Sequence, residues 1–242
     1  MSMNGQPIPV RAGAVAVLLV CLLGGLFRLW GVTFNETWTG ADGDLWPAPW
    51  VQSQTNEPSY ELKISGNRGL YSRYGGMMAH VDGHATLDVD QLVRFQCGGG
   101  NNWNFSMLAR RTDDNSDTFY KCTLVNSSTL NVGKDIDGTT TWLKTTNGIP
   151  YGGTNSWWMR FTVTTSNDTV LLMCRVWPTN EVETNTFEIS ATDTSTVLRK
   201  AEGRFGVSFG VNNRSVYLDD YTAQYRNLHG TVVVLRKHHR GR

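Results

Sequence analysis

Trp157-Trp158-Met159-Arg160-Phe161-Thr162-Val163 decides the fold. Side chains alternate between faces along a strand, so Trp157, Met159, Phe161 and Val163 share an apolar face, and Trp158, Arg160 and Thr162 lie opposite. The same period governs Phe119-Tyr120-Lys121-Cys122-Thr123-Leu124, which points Tyr120, Cys122 and Leu124 inward and Lys121 and Thr123 outward. In Arg204-Phe205-Gly206-Val207-Ser208-Phe209 the inward set is Phe205, Val207 and Phe209. One core face and one polar face per strand is what two stacked sheets require. Working outward, strands are predicted near 60–65, 68–73, 85–95, 103–110, 118–126, 129–134, 140–144, 157–165, 169–176, 186–190, 204–210 and 215–225. Asn/Gly/Asp/Thr clusters separate them, no segment carries a helical period, and the expected architecture is all-β, an antiparallel sandwich.

The bulk composition agrees. The 242 residues carry 22 Lys plus Arg against 21 Asp plus Glu, and that balance argues against a protein built to grip nucleic-acid phosphates. With only 18% charged and 11% aromatic residues the chain is not a disordered one. Three regions follow: an apolar segment within 1–33, a body from 34 to 228, and a final piece, 229–242. That piece holds the run Thr231-Val232-Val233-Val234-Leu235 and the basic tail Arg236-Lys237-His238-His239-Arg240-Gly241-Arg242.

Residues 12–27 are uninterruptedly apolar between Arg11 and Arg28. A secretory signal, a membrane anchor and a buried assembly arm all fit. The signal lacks a small-x-small cleavage site, and the span falls short of the ~20 residues a membrane helix needs. As an assembly arm, its packing residues are Val15, Val17, Leu18, Leu19, Leu22, Leu23, Leu26 and Phe27. Cys21 lies inside it. Cys97, Cys122 and Cys174 show no metal-binding spacing and read as small apolar side chains rather than a disulfide framework. A single Cys122–Cys174 bridge is the alternative, because a sandwich brings distant strands together.

The order of the body's runs is familiar. Phe34-Asn35 precedes a Trp-rich loop containing Trp46 and Trp50, and Ser65-Gly66-Asn67-Arg68-Gly69-Leu70 follows. Then come Leu108-Ala109-Arg110-Arg111, Phe119-Tyr120-Lys121-Cys122, Ser156-Trp157-Trp158-Met159-Arg160-Phe161 and Cys174-Arg175-Val176-Trp177. Gly203-Arg204-Phe205-Gly206-Val207 and Val216-Tyr217-Leu218-Asp219-Asp220-Tyr221 close the series. Over about residues 34–228 this resembles the concanavalin A-like lectin/glucanase (laminin-G-like) jelly roll, in the version found in minor tail proteins of actinobacterial phages. The resemblance implies a non-enzymatic virion structural protein of the tail, binding host-envelope glycan or decorating the tail. It would work with other tail proteins, as a homo-oligomer, with a trimer expected from the symmetry habits of tails, and without nucleic acid. The alternative is a secreted or cell-surface, membrane-anchored bacterial carbohydrate-binding protein.

Glucanases of this fold are similar to one another in a Glu-x-Asp-x-Glu or Glu-x-Asp-x-x-Glu strand, whose alternation brings the catalytic carboxyls to one face. The nearest strings here are Asp88-Val89-Asp90-Gln91, without glutamate, and Glu181-Val182-Glu183, read as a solvated loop. In the first, His84, Thr86, Asp88 and Asp90 are expected on one strand face. No catalytic residue is assigned. For sugar binding, which uses aromatic faces and planar polar groups, the outward-pointing candidates are Trp158, Arg160, Arg110 and Lys121, with Trp103 beside a turn-rich segment. Trp46 and Trp50 read as plugs at the sandwich edge. Relatives of this fold hold a structural calcium near the opening loop, and the candidate ligands here are Asp219, Asp220 and Asp42, with Asp44 nearby. Sequons at Asn35, Asn104, Asn126, Asn167 and Asn213 are close to chance in so Asn- and Thr-rich a chain.

Overall fold

A computed structural model describes residues 31–54, 61–72, 75–98, 103–112, 117–126, 128–151, 155–211 and 215–225. The apolar segment with Val15, Val17, Leu18, Leu19, Leu22, Leu23, Leu26 and Phe27, and everything after Tyr225, lie outside the described residues.

Strands are numbered along the chain. One sheet has seven, in the spatial order β10 (Thr139–Asn147), β9 (Thr129–Ile136), β8 (Phe119–Val125), β7 (Trp103–Arg111), β14 (Arg204–Val211), β5 (Gly75–Val81) and β2 (Trp50–Gln54). The other has eight, in the order β13 (Ile189–Asp193), β12 (Thr169–Pro178), β11 (Trp157–Ser166), β6 (Val89–Cys97), β15 (Val216–Tyr225), β4 (Gly69–Tyr71) and β3 (Lys63–Ile64). The eighth, β1 (Val32–Glu36), pairs with the last part of β15, alongside the edge that β4 uses further back. All these pairings are antiparallel. One helical turn, α1 (Thr196–Arg199), is the only helix among the described residues. The expected antiparallel sandwich is present.

The core lies between the sheets and is aromatic. Phe95 stacks on Phe105 at 4.8 Å and on Tyr151 at 5.6 Å. Near one end Trp38, Trp46 and Trp50 meet at 5.1–6.0 Å, all buried, so Trp46 and Trp50 are core plugs as read from sequence. Gly69 lies beneath that cluster, where an added Cβ would come within 2.8 Å of both the Trp38 and Trp46 rings.

Alternation failed at bulges. Arg110 was expected to point outward, since Phe105, Met107 and Ala109 point in. The register between β7 and β14 slips between Arg204 and Gly206, and Arg110 takes a positive φ of 56°. Its side chain therefore turns into the sandwich with no exposure. A second bulge at Asp220 (φ 42°) lets Leu218 and Tyr221 both face the core, where strict alternation would bury Asp220. The strand predicted over 85–95 begins only at Val89. His84, Thr86 and Asp88 belong to the irregular segment before it and do not share a strand face. β1, β2 and β5 were not foreseen. β5 opens on Gly75-Gly76 and buries both faces, with Met78 and His80 covered as well as Met77, Ala79 and Val81, so it shows no polar alternation.

A covalent tie and a buried carboxylate are among the links that join the sheets. Cys122 of β8 and Cys174 of β12 form a disulfide, so these cysteines are not simply apolar fillers. It closes a loop of 52 residues, for which the chain-entropy relation gives about 4 kcal/mol of stabilisation. Cys97 is free and buried, and burial pushes its thiol well above the ordinary value. The second tie is the Asp193 carboxylate of β13. It accepts hydrogen bonds from Tyr120 Oη (2.7 Å), Lys134 Nζ (2.8 Å) and Ser195 Oγ (2.7 Å). Burial would raise its pKa, but the bonds from Lys134, Ser195 and Tyr120 outweigh burial and hold it at about 2.

A carboxylate whose folded pKa is depressed contributes stability above its unfolded value, and loses that contribution as pH falls through its folded value. Wild type is therefore expected to lose stability between about pH 4 and pH 2. Asp193→Asn should be less stable than wild type at pH 7, with the difference shrinking over that window in urea unfolding. A constant difference from pH 7 to pH 2 would contradict this assignment.

Candidate functional site

The outer face of the seven-stranded sheet carries a groove of about 250 Å³. Its floor is short and polar because the outward positions of the central strands are Asn104 and Ser106 on β7, Thr123 on β8 and Ser208 on β14. The Ser106 and Thr123 hydroxyls bond each other at 2.8 Å. Gly210 lets the Asn104 carboxamide lie across the sheet, since a Cβ there would sit 2.5 Å from it. The wall is aromatic. Trp142 of the edge strand β10 lies over Gly133, where a Cβ would meet the indole at 2.7 Å, and the residue remains 43% exposed. The Lys121 ammonium stands 4.8 Å from the Trp142 ring centroid and 5.8 Å from that of Phe119. It is fixed there by Asp135 at 2.8 Å and Thr140 Oγ1 at 3.0 Å. Phe119 itself packs with Met78 and Leu108 in a small apolar cluster separate from the main core.

An exposed ring, a cation and a row of hydroxyl and carboxamide groups on a rigid sheet can hold a polyhydroxylated ring, whose C–H faces stack and whose hydroxyls bond. Among the described residues, Asp117 and Asp135 are the groove's carboxylates, and no glutamate lines it.

The opposite outer face, on the eight-stranded sheet, has its own concavity of about 330 Å³. Arg160 of β11 donates to Asp90 at 2.8 Å and to Glu183, which also pairs with Arg175 of β12. Burial works against the charge on Arg160, but Asp90 and then Glu183 outweigh it and raise its pKa above the ordinary value. Glu183 is thus an ion-pair partner and not the freely solvated loop residue that its sequence context implied. Beside this cluster Trp158 stacks on Trp177 at 6.4 Å, with the Arg94 guanidinium 6.0 Å from the Trp158 ring centroid.

The five sugar-binding candidates therefore do not form one site. Lys121 lines the groove, whereas Trp158 and Arg160 belong to the opposite face. Trp103 is 2% exposed and packs on Tyr151 at 5.0 Å, because its strand position is inward. Arg110 is inside the sandwich by virtue of its bulge. Trp142, the most exposed aromatic ring among the described residues, is not among the five candidates. Its signal was a lone aromatic in the Thr-rich run Thr139-Thr140-Thr141-Trp142.

The calcium ligands do not converge either. Asp219 and Asp220 both pair with Arg94, at 2.6 and 2.8 Å, so a guanidinium supplies the positive charge a cation would bring. Asp42 accepts from Gly66 N–H at 2.7 Å, and Asp44 from Ala41 N–H at 3.0 Å. Among the described residues no group of three or more His, Cys, Asp or Glu side chains is placed to hold a metal. As placed, Asp219, Asp220 and Asp42 are not gathered into the calcium site that the sequence resemblance implied.

No family model matches the sequence, and no curated protein matches it in sequence. Solved structures are. A prokaryotic β-1,3-1,4-glucanase (lichenase) derived from a mouse hindgut metagenome superposes with a TM-score of 0.55 at 7% identity, over 80% of this chain and 98% of that one. A native glycosidic hydrolase gives 0.54 at 9% identity, over 81% and 96%. A Lotus tetragonolobus seed lectin gives 0.52 at 10% identity, over 81% and 100%. The chain has the concanavalin A-like jelly-roll fold. Lectins and glycosidases both stand among its neighbours, so the fold by itself does not choose between binding and hydrolysis.

The Arg94 pairing gives a direct expectation. Adding millimolar calcium to chelator-treated protein should leave the melting temperature within about 1 °C, since a ligand that does not bind the folded state cannot stabilise it. A rise of several degrees, abolished in Asp219→Asn, would contradict the geometry.

Proposed function

We propose that the domain is a non-catalytic saccharide-binding module whose contact surface is the groove of the seven-stranded sheet. The observation that carries this reading is Trp142, exposed and anchored over Gly133, beside Lys121 and above the short polar floor of Asn104, Ser106, Thr123 and Ser208. Binding is favoured over hydrolysis by the groove's carboxylates. Retaining hydrolysis needs an acid and a nucleophile free to act on either side of the bond, whereas Asp135 is engaged by Lys121. Asp88 and Asp90, the other candidates, are turned to Thr165 and Arg160 on the opposite sheet's side.

In the setting that the sequence resemblance supports, this is a virion protein, a minor tail component of a phage. Its jelly roll would meet host-envelope glycan, its apolar 12–27 segment would pack against other tail proteins, and three copies would assemble. The second reading is a secreted or membrane-anchored bacterial carbohydrate-binding protein. The Cys122–Cys174 disulfide favours an oxidising, extracytoplasmic location, which both readings share.

On a glycan array, wild type is expected to bind a defined subset of oligosaccharides, and Trp142→Ala to lose about tenfold or more in affinity for them. Because Trp142 is an edge residue, its melting temperature should stay close to wild type. Equal binding by the two proteins, or release of reducing ends from the bound glycan, would overturn the reading.

A further inference from the structure

The outer face of the eight-stranded sheet repeats a pattern in two rows. β11 carries Trp158 and Arg160 on this face, and β12 carries Trp177 and Arg175. The antiparallel register sets Trp158 opposite Trp177 and Arg160 opposite Arg175, so an indole pair and a guanidinium pair lie in neighbouring rows. We propose that the arginine pair is a carboxylate-binding site for an acidic saccharide, and that Glu183 occupies it as a built-in plug.

Arg175 is the decisive residue. Its side chain is 7% exposed, with the guanidinium carbon 5.3 Å from the Trp177 ring centroid and 4.7 Å from that of Phe187. It lines a concavity of about 330 Å³ together with Arg160, Thr162, Thr164 and Phe187, within the size range of small-molecule sites. Its Nη2 reaches Glu183, yet Nε and Nη1 are buried with no hydrogen-bond partner. Unmet buried donors are costly, and a guanidinium is shaped to give two parallel bonds to one carboxylate. Glu183 does not deliver that geometry, because the same Oε1 serves both Arg160 and Arg175.

The plug and the site have different mechanical character. Glu183 comes from the irregular segment between β12 and β13, where the adjacent Val182 is 89% exposed. Arg175 follows Cys174, whose disulfide fixes β12 to the other sheet. A carboxylate entering from solvent can therefore displace the glutamate without disturbing the strands. The charge balance permits it: Asp90, Glu183 and Glu188 are the carboxylates around Arg160 and Arg175, Glu188 accepting from the Val176 N–H beside Arg175, and an incoming carboxylate that displaces Glu183 replaces its charge and leaves the local balance unchanged.

The saccharide assignment rests on the sugar-binding reading above and on the neighbouring Trp158–Trp177 row, with Thr162 and Thr164 supplying hydroxyls. The carboxylate chemistry stands without it, and the site lies on the sheet opposite the groove. A competing internal carboxylate lowers apparent affinity by the fraction of molecules it occupies.

The test is calorimetric titration of wild type, Glu183→Gln, Glu183→Ala and Glu183→Gln/Arg160→Gln with digalacturonic acid, its dimethyl ester and a tetra-aspartate peptide, with melting curves for each protein. Both single variants should bind the diacid about tenfold tighter than wild type. The ester should bind to none, and the double variant should lose the gain. The gain in diacid affinity of the Glu183 variants, read as a difference from wild type, reports this site, while loss of neutral-oligosaccharide binding in Trp142→Ala reports the groove, so failure of the groove and failure of this site read separately. Diacid affinity unchanged by either single variant, or ester bound as well as acid, would overturn the proposal. Preference for the peptide would overturn the saccharide assignment.

Discussion

The guanidinium of Arg110, buried between the sheets, is the constraint on which the rest of the sandwich depends. It donates from Nε to the Leu87 carbonyl at 2.6 Å and from Nη1 to the Leu198 and Arg199 carbonyls at 2.8 and 3.0 Å, and it reaches Thr165 with Nη2. One side chain thereby ties β7 to β11, to α1 and to the segment leading into β6. Burial pulls its pKa down, against Tyr120, Asp88 and Asp193, and Asp88 stands 3.7 Å away. Removing one partner from such a buried charged cluster typically costs about 3–5 kcal/mol. The bulge that turns Arg110 inward also demands Gly203 opposite, where any Cβ would collide with the Arg110 backbone. With the disulfide and Asp193, this tie locks the inner faces and leaves the outer faces free to carry ligand chemistry.

The two strands that share the disulfide show how this division works. Cys122 sits between Lys121 and Thr123, which line the groove, and Cys174 between Met173 and Arg175, which line the opposite concavity. Period-two alternation means that each covalently anchored inward residue holds two outward neighbours at fixed height. A sheet so anchored presents its side chains with little rearrangement, which favours binding by a preformed surface.

Much of this was legible in the sequence wherever alternation runs unbroken. The faces of Phe119–Leu124, Trp157–Val163 and Arg204–Phe209 stand as the residue pattern placed them. Legibility ended at bulges, because one inserted residue reverses every later side chain. Arg110 and Asp220 adopt positive φ without being glycine, so no residue type marked them. β5 was invisible because Met78 and His80 are buried on what should be its polar side. The sequence context of Glu183 implies solvation because its partners, Arg160 and Arg175, lie on strands that only the register brings together. The exposure of Trp142 is not legible in the sequence because it depends on the edge position of β10 and on Gly133 beneath the ring, and neither is a property of the strand's own pattern.

The central claim is that a saccharide meets the chain at the outer face of the seven-stranded sheet, and fluorine NMR tests it most directly. The chain has 9 tryptophans. With each labelled as 5-fluorotryptophan and Trp142 assigned through a Trp142→Phe variant, the protein would be titrated with its tightest-binding neutral oligosaccharide. The expected result is movement of the Trp142 resonance while those of the buried Trp38, Trp46, Trp50, Trp103 and Trp157 stay in place. A static Trp142 signal, with shifts among the buried indoles instead, would contradict the claim.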